Sequence, residues 1–284
     1  MKSSLLNFLG LGIVIIAVYC FFSLEKQPQI YSGYKLVWSD EFSVNGSPNE
    51  NNWNYETGFV RNHEEQWYQK ENAYCQNGFL IIEAKKEHKV NPDFISKSHK
   101  DWNKKRDSIK VTSSCLITRG KHSWKYGRFE MRAKIPVGKG MWPAFWTLGV
   151  KGNWPANGEI DIMEYYKGKI LANVAWKSDK VDTEWDSFSQ LLSDFKKDNW
   201  ADKFHIWRMD WDANFIRLYV DNQLLNETII SDTMQGKNQM ILPFRQPHYL
   251  LLNLAVGGDQ GGSFNSESFP SKYIIDYVRV YQKR

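Results

Sequence analysis

Apolar residues recur at every second position along much of the chain, a pattern that predicts half-buried β-strands. The clearest case is the segment 128–135, where Phe129, Met131, Ala133 and Ile135 alternate with charged side chains. Short apolar runs bounded by turn residues predict further strands at 36–38, 79–84, 115–118, 204–211, 215–220, 249–255 and 274–281. Many short strands separated by turns are typical of an all-β sandwich.

Three other segments qualify this pattern. The dipeptide Asn77-Gly78 precedes the strand at 79–84 and predicts a hairpin turn. Helical spacing of apolar residues is confined to the segment 183–200, where a turn or two of helix is predicted around Leu191, Leu192 and Phe195. The charged stretch 87–110 is predicted to be a long loop.

The first two dozen residues differ in kind from the rest. Lys2 is followed by an apolar run from Leu5 to Leu24, and about 20 such residues are enough to span a bilayer. We therefore predict an export signal or membrane anchor at 1–24, a linker at 25–33 and one folded domain at 34–284. The protein would be secreted, periplasmic or anchored at the cell surface; cleavage, retention and lipidation at Cys20 all stay open.

Composition changes this picture little. The chain is 42% hydrophobic and 24% charged, which fits a globular domain, and its formal net charge of +5 is spread along the sequence. No nucleic-acid-binding motif accompanies that charge, so we expect no nucleic-acid partner. We also expect a monomer. Cys75 and Cys115 are the cysteines beyond the N-terminal segment, and a disulfide and two buried free thiols remain alternatives.

The strongest chemical signal is the segment from Gly158 to Tyr165. Glu159 and Asp161 would share one face of a strand, because side chains two positions apart point the same way. A β-bulge near Met163 would bring Glu164 to that face as well. Crowded carboxylates repel one another, yet glycoside hydrolysis needs such a pair, one as nucleophile and one as acid. A solvated acidic face and a Ca²⁺ cluster are the alternatives.

Several segments in order resemble glycoside hydrolase family 16. The resemblance runs from about Leu36 to Tyr281 and is carried by the segments 36–42, 71–74, 124–130, 141–146, 158–165, 250–258 and 275–281. It implies a jelly-roll β-sandwich of two curved antiparallel sheets, with a β-linked polysaccharide bound along the concave face of a catalytic domain at 34–284. The acidic segment matches the bulged form of the family signature, found in laminarinase-like members.

The resemblance also implies roles for individual residues. Glu159 would be the nucleophile, Asp161 its helper and Glu164 the acid/base. The implied substrate contacts are Trp142, Trp146, Asn62, Glu64, Gln66, Arg128 and Asn253. Catalysis would need no cofactor, but many members hold a structural Ca²⁺, and the matching positions here are Glu41, the Gly78 carbonyl and Asp276.

Two departures from laminarinase-like members bear on the substrate. Ala175 stands where a His is frequent, and Asp259 follows Gly257-Gly258 where a Trp is frequent. We expect a retaining endo-hydrolase of β-1,3- or mixed β-1,3/1,4-glucan. An enzyme acting on agar or another algal galactan, a transglycosylase and a lectin-like binding module are the alternatives.

Overall fold

The computed structural model describes residues 27–195, 199–233 and 242–284. Most of the regular structure in them is β-strand. The strands are β1 (Tyr34–Asp40), β2 (Asn54–Tyr55), β3 (Gln66–Tyr68), β4 (Ala73–Gln76), β5 (Phe79–Val90), β6 (Ser108–Ser113), β7 (Cys115–Ile117), β8 (Gly127–Lys134), β9 (Met141–Gly149), β10 (Glu159–Tyr166), β11 (Lys169–Trp176), β12 (Glu184–Leu191), β13 (His205–Trp211), β14 (Phe215–Val220), β15 (Gln223–Ile229), β16 (His248–Val256) and β17 (Ser271–Lys283).

Helices are short and lie between the strands. One α-helical turn, α1, covers Gly258–Gly261, and 3₁₀ turns cover Lys70–Asn72, Trp102–Lys104, Leu192–Asp194, Trp200–Asp202, Ile230–Thr233, Pro243–Arg245 and Ser266–Ser268. Within the three described ranges, the helices all fall short of the length and apolarity that a membrane crossing requires. The predicted export or anchor segment at 1–24 lies outside these ranges.

The strands form two sheets. The ten-stranded sheet runs in the order β15-β14-β13-β8-β17-β5-β6-β3, with β1 beside β17 and β4 beside β5. The seven-stranded sheet runs in the order β12-β11-β10-β9-β16-β7-β2. Among the described strands, neighbours are antiparallel except for the parallel pair β3 and β6. The predicted all-β sandwich is confirmed.

The core lies between the two sheets. Phe129 and Met131 of the ten-stranded sheet belong to the same buried cluster as Ile160 and Ile162 of the seven-stranded sheet. Because side chains alternate across a strand, the next residues along each strand point away from this core. The seven-stranded sheet thus has a second face, which points away from the core and can hold polar side chains.

Two local predictions can be compared with the strands. Within the described part of 183–200, the edge strand β12 is followed by the 3₁₀ turn Leu192–Asp194. The predicted turn of helix around Leu191, Leu192 and Phe195 is thus confirmed as one 3₁₀ turn, and the residues before it pair with β11 as a strand. The loop predicted at 87–110 is shorter, since β5 continues to Val90 and β6 begins at Ser108.

Two further features were open or unexpected from the sequence. Cys75 and Cys115 are both buried and free. Within the predicted linker, Tyr31 packs on the ten-stranded sheet, where its hydroxyl donates to Glu130 and its ring lies beneath the Arg128 guanidinium.

Candidate active site

The outward face of the seven-stranded sheet holds a pocket of about 760 Å³. Alternate residues of four neighbouring strands form much of its lining. They are Trp142, Ala144, Trp146 and Leu148 of β9, Glu159, Asp161, Glu164 and Tyr166 of β10, Leu171 and Asn173 of β11, and Trp185, Ser187 and Ser189 of β12. Loops and β16 add Arg61, Asn62, Glu64, Trp154, Asn253 and Gln260.

A β-bulge brings the three carboxylates onto this one face. Asp161 pairs with Asn173 of β11 and Glu164 pairs with Leu171, so β10 advances three residues while β11 advances two. Ile162 and Met163, inside the bulge, are both fully buried in the core. The next residue, Glu164, therefore returns to the pocket side, and the predicted bulge is confirmed.

The residue before the first carboxylate has to be glycine. Gly158 has φ +79°, and a Cβ there would lie 2.6 Å from Cβ of Pro243. A side chain at this position would be strained and would also collide with the Pro243 turn. The sharp approach to β10 sets the position of Glu159, which accepts a hydrogen bond from Nε1 of Trp154.

Hydrogen bonds link the three carboxyl groups. Asp161 forms side-chain hydrogen bonds with both Glu159 and Glu164. Glu164 also accepts from Nε1 of Trp142 at 2.8 Å and from Nδ2 of Asn173 at 3.2 Å. The two glutamates thus flank one shared aspartate.

Burial dominates the titration of this trio. It raises the pKa of Glu164 to about 7, with the negative charge of Glu159 adding to the effect. Burial also raises the pKa of Asp161 well above its usual range, and the charges of Glu164 and Glu159 raise it further. Burial raises the pKa of Glu159, while the hydrogen bonds from Asp161 and Trp154 oppose that rise.

The hydrogen bond between Asp161 and Glu159 acts on the two groups in opposite directions. It raises the pKa of the aspartate and lowers that of the glutamate, so within this pair it favours the proton on Asp161. Glu164 remains protonated up to a pH of about 7. The trio therefore places two glutamates in one pocket, one of them with a pKa of about 7, and retaining glycoside hydrolysis uses such a pair as nucleophile and acid.

Trp142 and Trp146 line the pocket as predicted, but each is only 7% exposed. Trp142 donates its N–H to Glu164, and Trp146 donates its N–H to Asn253 at 2.7 Å. The Arg61 guanidinium lies 5.1 Å from the centre of the Trp146 ring. Neither ring is a widely open platform, and both orient polar side chains of the pocket.

The predicted residues Asn62 and Glu64 also line the pocket, and a buried network holds them. Nδ2 of Asn253 donates to Oη of Tyr68 at 3.0 Å, and that hydroxyl donates to Glu64 at 3.3 Å. Gln66 is 1% exposed and lies outside the pocket lining. Its amide donates to Glu64 and accepts from the backbone N–H of Val256, so the structure corrects the predicted substrate contact to a supporting residue.

Arg128 is not brought to the pocket. It lies on β8 in the ten-stranded sheet, where it makes a bidentate pair with Asp210 at 2.7 and 2.8 Å. Its neighbours in sequence, Gly127 and Phe129, are buried, so Arg128 points away from the core on the side opposite the pocket. The prediction of a cleft contact was wrong, because sequence order cannot tell which sheet a strand joins.

The predicted Ca²⁺ ligands do not fit a calcium ion as they are arranged. Glu41 makes a bidentate pair with Arg279, with both bonds at 2.8 Å, and Asp276 accepts from Arg132 at 2.6 Å. Across the described part of the chain, there is no group of three or more His, Cys, Asp or Glu side chains that could hold a metal. Arginines occupy the carboxylates that the ion would need.

Sequence reasoning missed several pocket residues. Asn173 could have been found by counting along β11, since Leu171 and Asn173 share a face. Arg61 adjoins the predicted Asn62 but carried no signal of its own. Trp154 and Trp185 reach the pocket through a loop and an edge strand whose positions depend on the tertiary fold.

Comparison with known proteins agrees with this geometry. Residues 59–279 match the model of glycosyl hydrolases family 16. A beta-glucanase from Rhodothermus marinus is 35% identical over 272 residues, which cover 88% of this chain and 85% of that protein.

Two solved structures extend the comparison. The non-specific endo-beta-1,3(4)-glucanase SCLam, of family GH16, is 35% identical with a TM-score of 0.73, covering 90% of this chain and 94% of that one. A structure from work on endo-acting O-glycanases, with which members of the human gut microbiota initiate mucin breakdown, is 32% identical with a TM-score of 0.81 and covers 91% and 94%. This chain therefore belongs to glycosyl hydrolases family 16 and is a glycoside hydrolase.

Proposed function

We propose that this chain is a retaining endo-hydrolase of β-1,3- or mixed β-1,3/1,4-glucan. The observation that carries the proposal is the trio on one pocket face, where the bulge of β10 brings Glu159, Asp161 and Glu164 together and Asp161 joins the two glutamates. The beta-glucanase and the endo-beta-1,3(4)-glucanase among its relatives support glucan as the substrate.

The mechanism assigns one step to each carboxyl group. Glu164 gives its proton to the departing glycosidic oxygen while Glu159 attacks the anomeric carbon, which forms a covalent glycosyl-enzyme. Glu164, now ionised, then takes a proton from water, and the hydroxyl of that water displaces Glu159 with overall retention. Asp161 keeps its proton and donates a hydrogen bond to Glu159.

A substrate panel tests this assignment. The purified protein without residues 1–24 is incubated with laminarin, barley β-glucan, lichenan, agarose and mucin, and reducing-sugar release is measured. We expect release from at least one glucan, with a first-formed product of β configuration by NMR. An α product, or no release from any glucan by the folded protein, would contradict the proposal.

The mucin arm addresses a second candidate, an endo-acting O-glycanase. The structure related to mucin breakdown has a TM-score of 0.81, against 0.73 for the endo-beta-1,3(4)-glucanase. Two residues depart from the laminarinase-like pattern, Ala175 on β11 and Asp259 in α1. Release from mucin without release from glucans would favour this candidate.

Export through residues 1–24, with anchoring at a membrane or cell surface, is part of the same proposal. The apolar run from Leu5 to Leu24 supports it, and a polysaccharide hydrolase meets its substrate outside the cytoplasm. Fractionation of cells that produce the full chain, followed by mass spectrometry of its N terminus, tests the location and any cleavage.

A further inference from the structure

The tryptophans of the pocket fall into two groups by exposure. Trp142 and Trp146 are 7% exposed, whereas Trp154 is 50% and Trp185 is 45% exposed. Both exposed indoles line the pocket, and the flat face of an indole suits the C–H face of a sugar ring. Trp154 donates to Glu159 and so adjoins the reacting groups. Trp185 lies farther away, on the edge strand β12.

Strand pairing places Trp185 relative to the trio. Glu159 pairs with Ala175 of β11, and Ala175 pairs with Trp185 of β12. Neighbouring strands are about 4.8 Å apart, so the Trp185 backbone is about 10 Å from that of Glu159. Ala175, between them, has the smallest side chain of this row. Trp185 therefore extends the pocket beyond the sugar that contacts the trio.

The pocket-facing side of β12 has a consistent chemistry. Ser187 and Ser189 follow Trp185 on the same face and also line the pocket. Asp186 points the other way, because it accepts from the Thr228 hydroxyl of the ten-stranded sheet at 2.8 Å. Phe188 also contributes to the lining, so β12 offers one indole, two hydroxyl groups and a phenyl ring, with no charge, which suits a neutral sugar.

The trio lies between two parts of the pocket. Asn62, Glu64 and Asn253 lie on the side of β16, and the surface formed by Trp185, Ser187 and Ser189 lies on the side of β12. The geometry points to Trp185 as a platform for a neutral pyranose ring of the polysaccharide, at least one unit away from the bond that is cleaved. This inference rests on the proposed function.

The dependence of activity on chain length tests the platform. The specificity constant kcat/KM is measured for β-1,3-glucan oligosaccharides, from the shortest one hydrolysed to chains that fill the cleft, with the wild type, Trp185→Ala and Trp185→Phe. We expect Trp185→Ala to lower the ratio of long-chain to short-chain kcat/KM about tenfold, which corresponds to about 1.4 kcal/mol. Trp185→Phe keeps a ring and should recover most of that ratio.

Leu191→Ala is the matched control. Leu191 lies on the same face of β12 and is 49% exposed, but it lines a neighbouring pocket and not the pocket that holds the trio. We expect this variant to keep the wild-type length dependence. A Trp185→Ala variant with the same length dependence as the wild type would overturn the proposal.

A measurement of binding distinguishes failure of the Trp185 platform from failure of the proposed function. Calorimetry with long oligosaccharides in the Glu159→Gln background should show a Kd about tenfold weaker when Trp185→Ala is added, but not when Leu191→Ala is added. If the wild type cleaves no glucan, the proposed function fails, while this titration still decides whether Trp185 binds the sugar. Equal Kd values for the two double variants would overturn the platform.

Discussion

The carboxylates on the two outward faces of the sandwich have different partners. On the ten-stranded sheet, Asp210, Glu227 and Asp276 each pair with an arginine, and so does Glu41 directly after β1; the partners are Arg128, Arg217, Arg132 and Arg279. On the pocket face, the partners of Glu159, Asp161 and Glu164 are the N–H groups of Trp154, Trp142 and Asn173 and the carboxyl groups themselves.

This difference separates structural carboxylates from reactive ones. A guanidinium partner holds a carboxylate ionised and in one place, whereas burial beside other acids disfavours ionisation and raises the pKa. Glu130 is the exception on the ten-stranded sheet, because burial raises its pKa while the Tyr31 hydroxyl and nearby arginines oppose the rise. It is fully buried and is not part of the lining of the pocket that holds the trio, so a raised pKa alone does not make a carboxyl group catalytic.

The largest expected effect distinguishes the two faces by activity. Glu159→Gln removes the proposed nucleophile, and we expect kcat on the best glucan to fall by about 1000-fold or more. Glu227→Gln, on the ten-stranded sheet, removes a carboxylate that is paired with Arg217 and should leave kcat within about twofold of the wild type. Retained hydrolysis by folded Glu159→Gln would show that the pocket trio is not the reacting group.

The pH profile tests the role of Glu164. The group must be protonated to act as an acid, and its pKa is raised to about 7, so kcat/KM should fall as the pH rises through about 7. The Trp142 N–H stabilises the charged form and lowers this pKa. We therefore expect Trp142→Phe to shift the alkaline limb of the kcat/KM profile to higher pH, besides any loss of amplitude. A limb that stays in place, or moves down, would contradict the assignment.

Stability should change in opposite directions on the two faces. Because the pKa of Glu164 is higher in the folded state than its ordinary value of 4.5, ionisation costs stability as the pH rises from about 4.5 to about 7. Glu164→Gln should therefore unfold with a free energy roughly 1–3 kcal/mol higher at pH 8, and the gain should vanish near pH 4.

The matched change is Glu41→Gln, which removes the partner of Arg279 on β17 of the ten-stranded sheet. It leaves the Arg279 guanidinium, which is 4% exposed, without its charged partner, and we expect a loss of roughly 2 kcal/mol at pH 8. Urea denaturation at both pH values measures the two effects. A destabilised Glu164→Gln at pH 8 would show that the trio is not under electrostatic strain.

Much of this arrangement follows from local sequence. Period-two alternation predicted β8, and the spacing of Glu159, Asp161 and Glu164 predicted the bulge, because the inward positions of a strand must be apolar. Arg128, Trp154 and Trp185 could not be placed in this way. Their positions depend on which strands become neighbours. The alternation of residues within one strand shows which side chains share a face, but not which strand pairs with it.

The smallest expected effect concerns calcium, which the resemblance implied and the geometry does not favour. Glu41 and Asp276 are paired with Arg279 and Arg132, and two guanidinium groups beside the implied site would repel a divalent cation. Dialysis against EDTA should therefore leave both kcat and the Tm unchanged, and added Ca²⁺ should not raise the Tm. A bound ion would instead stabilise the folded state through its binding free energy. A clear rise in Tm with Ca²⁺, lost in an Asp276→Asn variant, would mean that the arginines give way to the ion and that the ten-stranded face is less fixed than its ion pairs suggest.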